Sequence, residues 1–280
     1  MTAVAIAGEA GSYSHAAALA AHPVEIQVVP CRDFSELFET VALGGAEHGV
    51  VPIENSLTGS IHENYDQLRA HDLCIVGETE VRVRHCLIAR PGTTMPQVRQ
   101  VASHPVALAQ CRKFFAVHPM MTAVPAYDTA GSVRDLMSDR VAVDAAIASD
   151  LAARLYGGTV LESGIEDHPD NFTRFLIVSR YAVSRVGSAP TKTSLVISLA
   201  NVPGSLHRAL GVFARRELDL SKIESRPLPG RPWQYAFYLD VLGEPGDVAA
   251  ALAELTEETA GNSVRVLGSY AATVPRTRSV

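Results

Sequence analysis

The sequence predicts an α/β protein in two parts. One is a unit of two lobes that face each other across a cleft; the other is a smaller βαββαβ unit at the C-terminal end. Three observations carry that prediction. Short apolar runs alternate with helix-start signals over residues 1–180. The alternation is interrupted once, by an extended stretch at 75–88, and then resumes. Beyond a segment at 180–192 that contains Gly187 and Pro190, the element order changes to strand, helix, two strands, helix and strand.

Residues 4–7 form a short buried strand, Gly8, Gly11 and Ser12 a turn, and Ser14 is placed to cap a helix over 15–21. Residues 26–29 are a second strand. Asp33 caps a helix in which Phe34, Leu37, Phe38 and Val41 recur at helical spacing. Residues 49–53 are a third strand, ending in Glu54-Asn55-Ser56. This order argues for a parallel sheet with helices packed on it. The extended stretch at 75–88 ends at Pro91-Gly92. A second set follows: strand 98–102, helix from Pro105 through Phe115, strand 122–124, and helix from Thr129 or Ser132 through Met137. Strand 141–143, helix from Asp144 through Leu155 and strand 173–179 complete it.

The second lobe, about 76–159, is thus expected as an insertion into the first, about 1–75 and 160–180, and the chain crosses between them twice. Ligands of open α/β sheets sit beyond the C-terminal strand ends, so paired lobes would share a site. The alternative is two independent sheets without one. Strands at 194–199, 221–226, 234–241 and 263–267, with helices at 205–216 and 246–256, give a ferredoxin-like unit over 193–270. Leu206, Leu210 and Phe213 supply an inward stripe. The tail from Pro275 is expected to be disordered.

A net charge of −6 removes the basic excess of a nucleic-acid binder, so an anionic substrate must be held by local donors. Cys31, Cys74, Cys86 and Cys111 form no C-x-x-C and suit isolated thiols in a reducing compartment. No two histidines are spaced H-x-x-x-H, which points away from a local metal motif and leaves only a site assembled from distant residues. No apolar run of about 18 residues is present to span a bilayer. No Lys or Arg precedes Arg32, so the N-terminal segment does not read as a secretory signal, and the cytoplasm is the expected location.

Five polar clusters fall at strand ends: residues 8–15; Glu54-Asn55-Ser56 with Thr58-Gly59-Ser60; Ser103-His104-Pro105 with Gln110 and Cys111; Asp128-Thr129-Ala130-Gly131-Ser132; and Asn171-Phe172-Thr173-Arg174-Phe175. Glycine at a helix start favours an anion, and Asn and Ser offer neutral donors to a carboxylate. There is no P-loop, no G-x-G-x-x-G and no nucleophile elbow. Taken singly, the first reads equally as a plain tight turn, the second as a loop closed by Asn and Ser side chains, and the other three more often as caps or surface ion pairs than as site residues.

Together they resemble a known family. Val-Pro-Ile-Glu-Asn-Ser at 51–56, Ser-His-Pro at 103–105 with Gln110-Cys111, and Asn-Phe-Thr-Arg-Phe at 171–175 are similar, in order and spacing, to the prephenate dehydratase catalytic domain. Gly11-Ser12-Tyr13-Ser14 looks like its Gly-Thr-Phe-Ser start. The ferredoxin-like segment resembles an ACT domain: Gly204-Ser205-Leu206 looks like a Gly-Ala-Leu turn, and 224–227 is the Glu-Ser-Arg-Pro motif. The resemblance covers residues 3–270 and departs at Val106, where Gln is common, and at Ser205, where Ala is.

The resemblance implies a periplasmic-binding-protein-like catalytic domain that converts prephenate to phenylpyruvate without cofactor or metal. It implies Thr173 as donor to the leaving hydroxyl, and Asn55, Ser56, Ser103, Gln110 and Thr129 as substrate binders. Arg174 either meets a carboxylate or braces the cleft in an ion pair, and Glu54 orients a donor. Phenylalanine would bind between subunits of a homodimer or homotetramer, at Gly204, Ser205, Leu206, Glu224, Ser225, Arg226 and Pro227. An arogenate dehydratase of the same family is the near rival. A two-lobed module that senses an aromatic metabolite without catalysis is the distant one.

Overall fold

The computed structural model describes residues 1–182, 191–258 and 263–273; the centre of the expected linker, with Gly187 and Pro190, and the tail from Pro275 lie outside them. In the first lobe, strands β1 (Thr2–Ala7), β2 (Ile26–Cys31), β3 (His48–Asn55), β4 (Gly59–Ser60) and β5 (Cys74–Arg82) alternate with helices α1 (Tyr13–Ala21), α2 (Phe34–Ala42) and α3 (His62–Ala70). β1 pairs in parallel with β2 and with β3. Successive residues Val4, Ala5 and Ile6 are all fully buried, because α1 covers one face through Ala17 and Ala18 and α2 the other through Leu37, Phe38 and Val41. A strand covered on both faces reads as a continuous apolar run, and each large side chain so buried contributes about 1.5–3 kcal/mol.

The second lobe holds β6 (Cys86–Ala89), β7 (Gln100–Ser103), β8 (Thr122–Pro125), β9 (Ala145–Ala148) and β10 (Thr159–Ser163), in sheet order β10-β6-β9-β7-β8. Its helices are α4 (Pro105–Ala109), α5 (Arg112–Val117), α6 (Thr129–Met137) and α7 (Asp150–Tyr156). The chain then returns through β11 (Phe172–Ser179), which enters the first sheet antiparallel between β3 and β5.

Several expectations are corrected. The stretch at 75–88 is two strands in different sheets, so the first lobe keeps β5 and the crossing lies between Arg82 and Cys86 rather than at 75/76. Likewise β10 belongs to the second sheet, which moves the return crossing beyond Ser163. Residues Ala145 to Ala148, expected in a helix from Asp144, are a strand. Alanine favours helix, but all four residues are fully buried between layers and tertiary packing overrides propensity. The helix starts later, where Ser149 Oγ accepts the Ala152 N–H. The α1 cap is Ser12 rather than Ser14, and the helix expected from Pro105 to Phe115 breaks at Gln110 and Cys111.

The C-terminal domain contains β12 (Thr191–Ser198), α8 (Ser205–Arg215), β13 (Asp219–Pro227), β14 (Tyr235–Leu242), α9 (Pro245–Glu258) and β15 (Ser263–Ala271). Its antiparallel sheet runs β13-β14-β12-β15, the ferredoxin-like order. Helices α8 and α9 cover one face, with Val212, Phe213 and Leu255 against Leu195, Leu239 and Val241. The other face packs on the first lobe: Val196, Tyr238, Leu267 and Tyr270 share a core with Tyr65, Leu68 and Ile75. The backbones come close at Gly268, where a Cβ would fall 1.9 Å from the Ile75 carbonyl oxygen. Only glycine lets β15 lie on the backbone of β5.

Candidate active site

A cleft of about 420 Å³ opens between the lobes. Asn55, Gln110, Thr129 and Thr173 line it, together with Ser12, Tyr13, Thr58, His85, His104, Asp128 and Phe175. Four of the expected substrate or catalytic residues thus meet in one place. They come from β3, the end of α4, the start of α6, and β11.

An irregularity in the β3–β11 ladder sets which side chains face the cleft. Thr173 lies opposite Asn55, and Arg174 opposite Glu54, but Phe175 lies opposite Pro52, so Ile53 is an extra residue. Pro52 has no N–H to give to the ladder, which makes it a natural place for the bulge. Ile53 and Glu54 consequently both turn away from the cleft: Ile53 enters the core shared with the C-terminal domain, and Glu54 pairs with Lys222 Nζ at 3.0 Å. Parity is restored at Asn55, which faces the cleft beside Thr173. Strict alternation from Pro52 would instead have aimed Glu54 at the ligand.

Four expected site residues are placed elsewhere. Ser103 is fully buried and donates to the Ile147 carbonyl at 2.6 Å, holding β7 to β9. Ser56 Oγ donates to the Asp170 carbonyl and accepts the Phe172 N–H, both at 3.0 Å. Glu54 faces the C-terminal domain, as above. Arg174 follows Thr173 on a strand and so points to the opposite face, where it pairs with Asp240 of β14 and approaches Glu78 at 3.3 Å. Of its two expected roles the structure gives it the ion pair. Lys192 Nζ, 2.7 Å from Glu78, completes a cluster between the domains in which two cations balance two carboxylates.

The cleft is lined mainly by donors and neutral groups. The first turns of α1 and α6 end at it, presenting N–H groups and the positive ends of two helix dipoles. Asp128 caps α6, its Oδ1 accepting the Gly131 N–H at 2.6 Å, and burial pushes its pKa up. Burial lowers the pKa values of His15 and His85. The Cys111 thiol is pushed up by burial, which keeps it protonated and unreactive.

The turn at 8–11 is a clasp between lobes. Ser149 Oγ donates to the Gly11 carbonyl at 2.6 Å, Tyr156 Oη to the Ala10 carbonyl at 2.8 Å, and Arg134 meets Glu9 at 2.6 Å. Gly11 has φ +90°, and a Cβ there would lie 2.9 Å from the Ala152 Cα. This glycine thus serves close packing and a left-handed turn.

Among the expected effector residues, Gly204 (φ +80°) precedes α8 and Leu206 packs into the domain core. Register places Ser198 opposite Ala236 and Ala236 opposite Arg226, so the Gly204 turn and the 224–227 segment share one end of the sheet. Ser205 is half-buried, and Ser225 and Pro227 are exposed. Glu224 and Arg226 point at the first lobe instead: Glu224 accepts from Ser60 Oγ at 2.5 Å, and Arg226 meets Asp66 at 2.7 Å.

His85 and Asn171 are part of the site without having been expected there. Asn171 lies in the quoted motif but carries no separate signal. His85 sits alone between β5 and the apolar β6, and only its position at the lobe crossing marks it.

A family profile described as prephenate dehydratase matches residues 4–182, and one described as ACT domain matches 193–257. The chain is 41% identical over 276 residues to arogenate dehydratase/prephenate dehydratase 2, chloroplastic, of Arabidopsis thaliana, covering 95% of this chain and 72% of that protein. Among solved structures, a prephenate dehydratase in complex with L-Phe from Arthrobacter aurescens superposes with TM-score 0.87 at 34% identity, over 96% of this chain and 90% of that one. A protein described as GqqA, a novel type of quorum quenching acylase, superposes with TM-score 0.86 at 35% identity, over 97% and 98%.

Proposed function

Since this chain belongs to the prephenate dehydratase family, we propose that its inter-lobe cleft binds prephenate and converts it to phenylpyruvate, carbon dioxide and water. The observation that carries the reading is the Thr173 hydroxyl, held in the cleft with its oxygen accepting from Asn55 Nδ2 at 3.0 Å.

In this reaction the bond from ring carbon to carboxylate breaks, and its electron pair becomes ring π-density. The C–O bond on the far side of the ring breaks in turn, and hydroxide leaves as water once it gains a proton. Aromatisation drives the step, and the protein's task is to hold the dianion and assist the departing hydroxide. Thr173 donates to that oxygen. A threonine hydroxyl is a very weak acid, so it acts as an oriented donor or relay, an assistance typically worth about 10²–10⁴-fold. The Gln110 amide, the Thr129 hydroxyl and the N–H groups opening α1 and α6 supply the remaining donors for the carboxylates. Val106 stands at the cleft where the family commonly has Gln and gives an apolar contact in its place.

Phenylalanine, the effector proposed for the ACT domain, binds where the Gly204 turn and the 224–227 segment meet a second subunit of a homodimer or homotetramer. Edge strand β13 leaves Ile223 and, on the approach to β14, Trp233 exposed, as a face for such a partner would. Inhibition then requires unequal effector affinity for two cleft arrangements. The relative from Arabidopsis thaliana is named chloroplastic; for this chain the unpaired cysteines fit a reducing compartment, of which the cytoplasm is the one proposed. The acylase description stays with its own protein.

The test is phenylpyruvate formation from purified protein and prephenate without added metal, with arogenate assayed in parallel. Thr173→Ala should fold as the parent does and lose most turnover. Near-parental turnover in that variant removes Thr173 from the mechanism, and an inactive parent removes the dehydratase reading.

A further inference from the structure

Along the cleft wall, six side chains form one hydrogen-bonded chain, and its direction is determined at one end. Asn55 Oδ1 accepts the backbone N–H groups of Leu57 and Thr58, each at 3.0 Å. A backbone N–H only donates, so the Asn55 amide has one orientation. Its Nδ2 then faces Asn171 Oδ1 at 2.7 Å and Thr173 Oγ1 at 3.0 Å. Asn171, having given its oxygen to Asn55, turns Nδ2 toward Gln110 Oε1 at 3.1 Å. Gln110 Oε1 is therefore an acceptor, and the His85 Nε2 that lies 2.9 Å from it carries the proton. The other ring nitrogen, Nδ1, then accepts, and the Tyr13 hydroxyl 3.0 Å from it has a single proton to share between Nδ1 and the Arg84 carbonyl at 2.8 Å. Asn171 is fully buried and His85 is 1% exposed. A reversed Asn171 would set its Nδ2 against the Asn55 Nδ2, donor facing donor at 2.7 Å.

The polarity of this chain decides what reaches the ligand. With Oε1 taken by His85 and Asn171, Gln110 has only its NH₂ left for the cleft. With Oγ1 already accepting from Asn55, Thr173 has its O–H left. Both are donors, the type an anionic substrate and a departing hydroxide require. The backbone of Leu57 and Thr58 clamps one end of the chain and the His85 Nε2–H clamps the other. Without the second clamp, Gln110 Oε1 is held by the Asn171 N–H alone, and turning that oxygen toward the substrate would cost Asn171 its acceptor.

We propose that His85 and Asn171 are positioning residues of the dehydratase, acting through Gln110 and Thr173 to keep both as donors toward the substrate. The inference rests on the dehydratase reading of the cleft, but its first test does not. In the intact protein with ¹⁵N-labelled histidine, long-range ¹H–¹⁵N NMR reads the His85 tautomer without turnover. The proton is expected on Nε2; a neutral ring protonated on Nδ1 overturns the proposal.

The second test is kinetic. His85→Leu and Asn171→Leu should each lower kcat by about 10²-fold, the scale of a reacting group displaced by a remote change. KM should stay within about threefold of the parent, because the lost interaction matters mainly in the transition state. His85→Gln, whose amide nitrogen can stand where Nε2 stood, should recover kcat to within about tenfold of the parent. Parental kcat in His85→Leu, or His85→Gln no better than His85→Leu, overturns the proposal. A parent that turns over neither prephenate nor arogenate sinks the dehydratase reading instead, whatever tautomer the NMR reports.

Discussion

Replacing Asp240 with alanine should loosen the junction between the two domains more than any loss of apolar surface could explain. Arg174 pairs with Asp240 and approaches Glu78 at 3.3 Å, while Lys192 meets Glu78 at 2.7 Å. Side-chain exposure is 1% for Glu78, 8% for Asp240 and Lys192, and 19% for Arg174. Without Asp240 the cluster holds two cations and one carboxylate, and Ser194 Oγ keeps only Tyr270 Oη, at 2.7 Å, as a partner. Breaking a buried pair by removing one partner costs about 3–5 kcal/mol. Glu78 remains, and Arg174 keeps some water, so we take the low end, about 3 kcal/mol. For a chain of this size that is a fall in Tm of about 6–12 °C, readable by calorimetry. The double variant Arg174→Met/Asp240→Leu should regain most of the loss, since apolar replacement of a whole buried pair is often neutral. An Asp240→Ala protein melting within about 1 °C of the parent would show the pair to be screened like a surface bridge and would refute this reasoning.

Gly268→Ala should force β15 away from β5, at a cost of about 1–3 kcal/mol or more, seen as a lower Tm and faster proteolytic release of the C-terminal domain. Stability should fall as pH drops below about 6.5: burial lowers the folded-state pKa values of His15, His48 and His85, so the unfolded chain binds more protons there. Melting temperatures at about pH 7.5 and pH 5.5 check the sign, and His48→Gln, which removes one of the three, should narrow the gap. Arg134→Ala opens the Glu9 contact of the inter-lobe clasp. Because that pair is partly exposed, it should cost under about 1 kcal/mol in stability and show itself as a raised KM.

Legibility from sequence tracked the kind of physical signal each element carries. Helix α2 was readable because Asp33 caps it and Leu37, Phe38 and Val41 recur at its period. β9 was not, since three of its four residues are alanines, which carry no β-propensity and are held extended by burial from both sides. At the site, Thr173, Asn55, Gln110 and Thr129 were found through their motifs. Motifs, however, name neighbours in the chain and not directions in space. Ser103 and Arg174 sit within the same motifs and face away, Ser103 into a sheet and Arg174 into the other domain. Only coordinates reveal the bulge at Pro52 that turns Glu54 aside. His85 was invisible because its partners come from positions 13 and 110, far from it in the chain.

Strand β11 gives adjacent positions to different tasks: position 173 serves chemistry and position 174 serves the joint with the neighbouring domain. A period of two makes that economy brittle. A single-residue deletion upstream within the strand would exchange the two faces, pressing a guanidinium into the reaction chamber and a small hydroxyl against Asp240. Catalysis and domain docking would fail together. For this reason the segment should tolerate point replacement far better than any change of length.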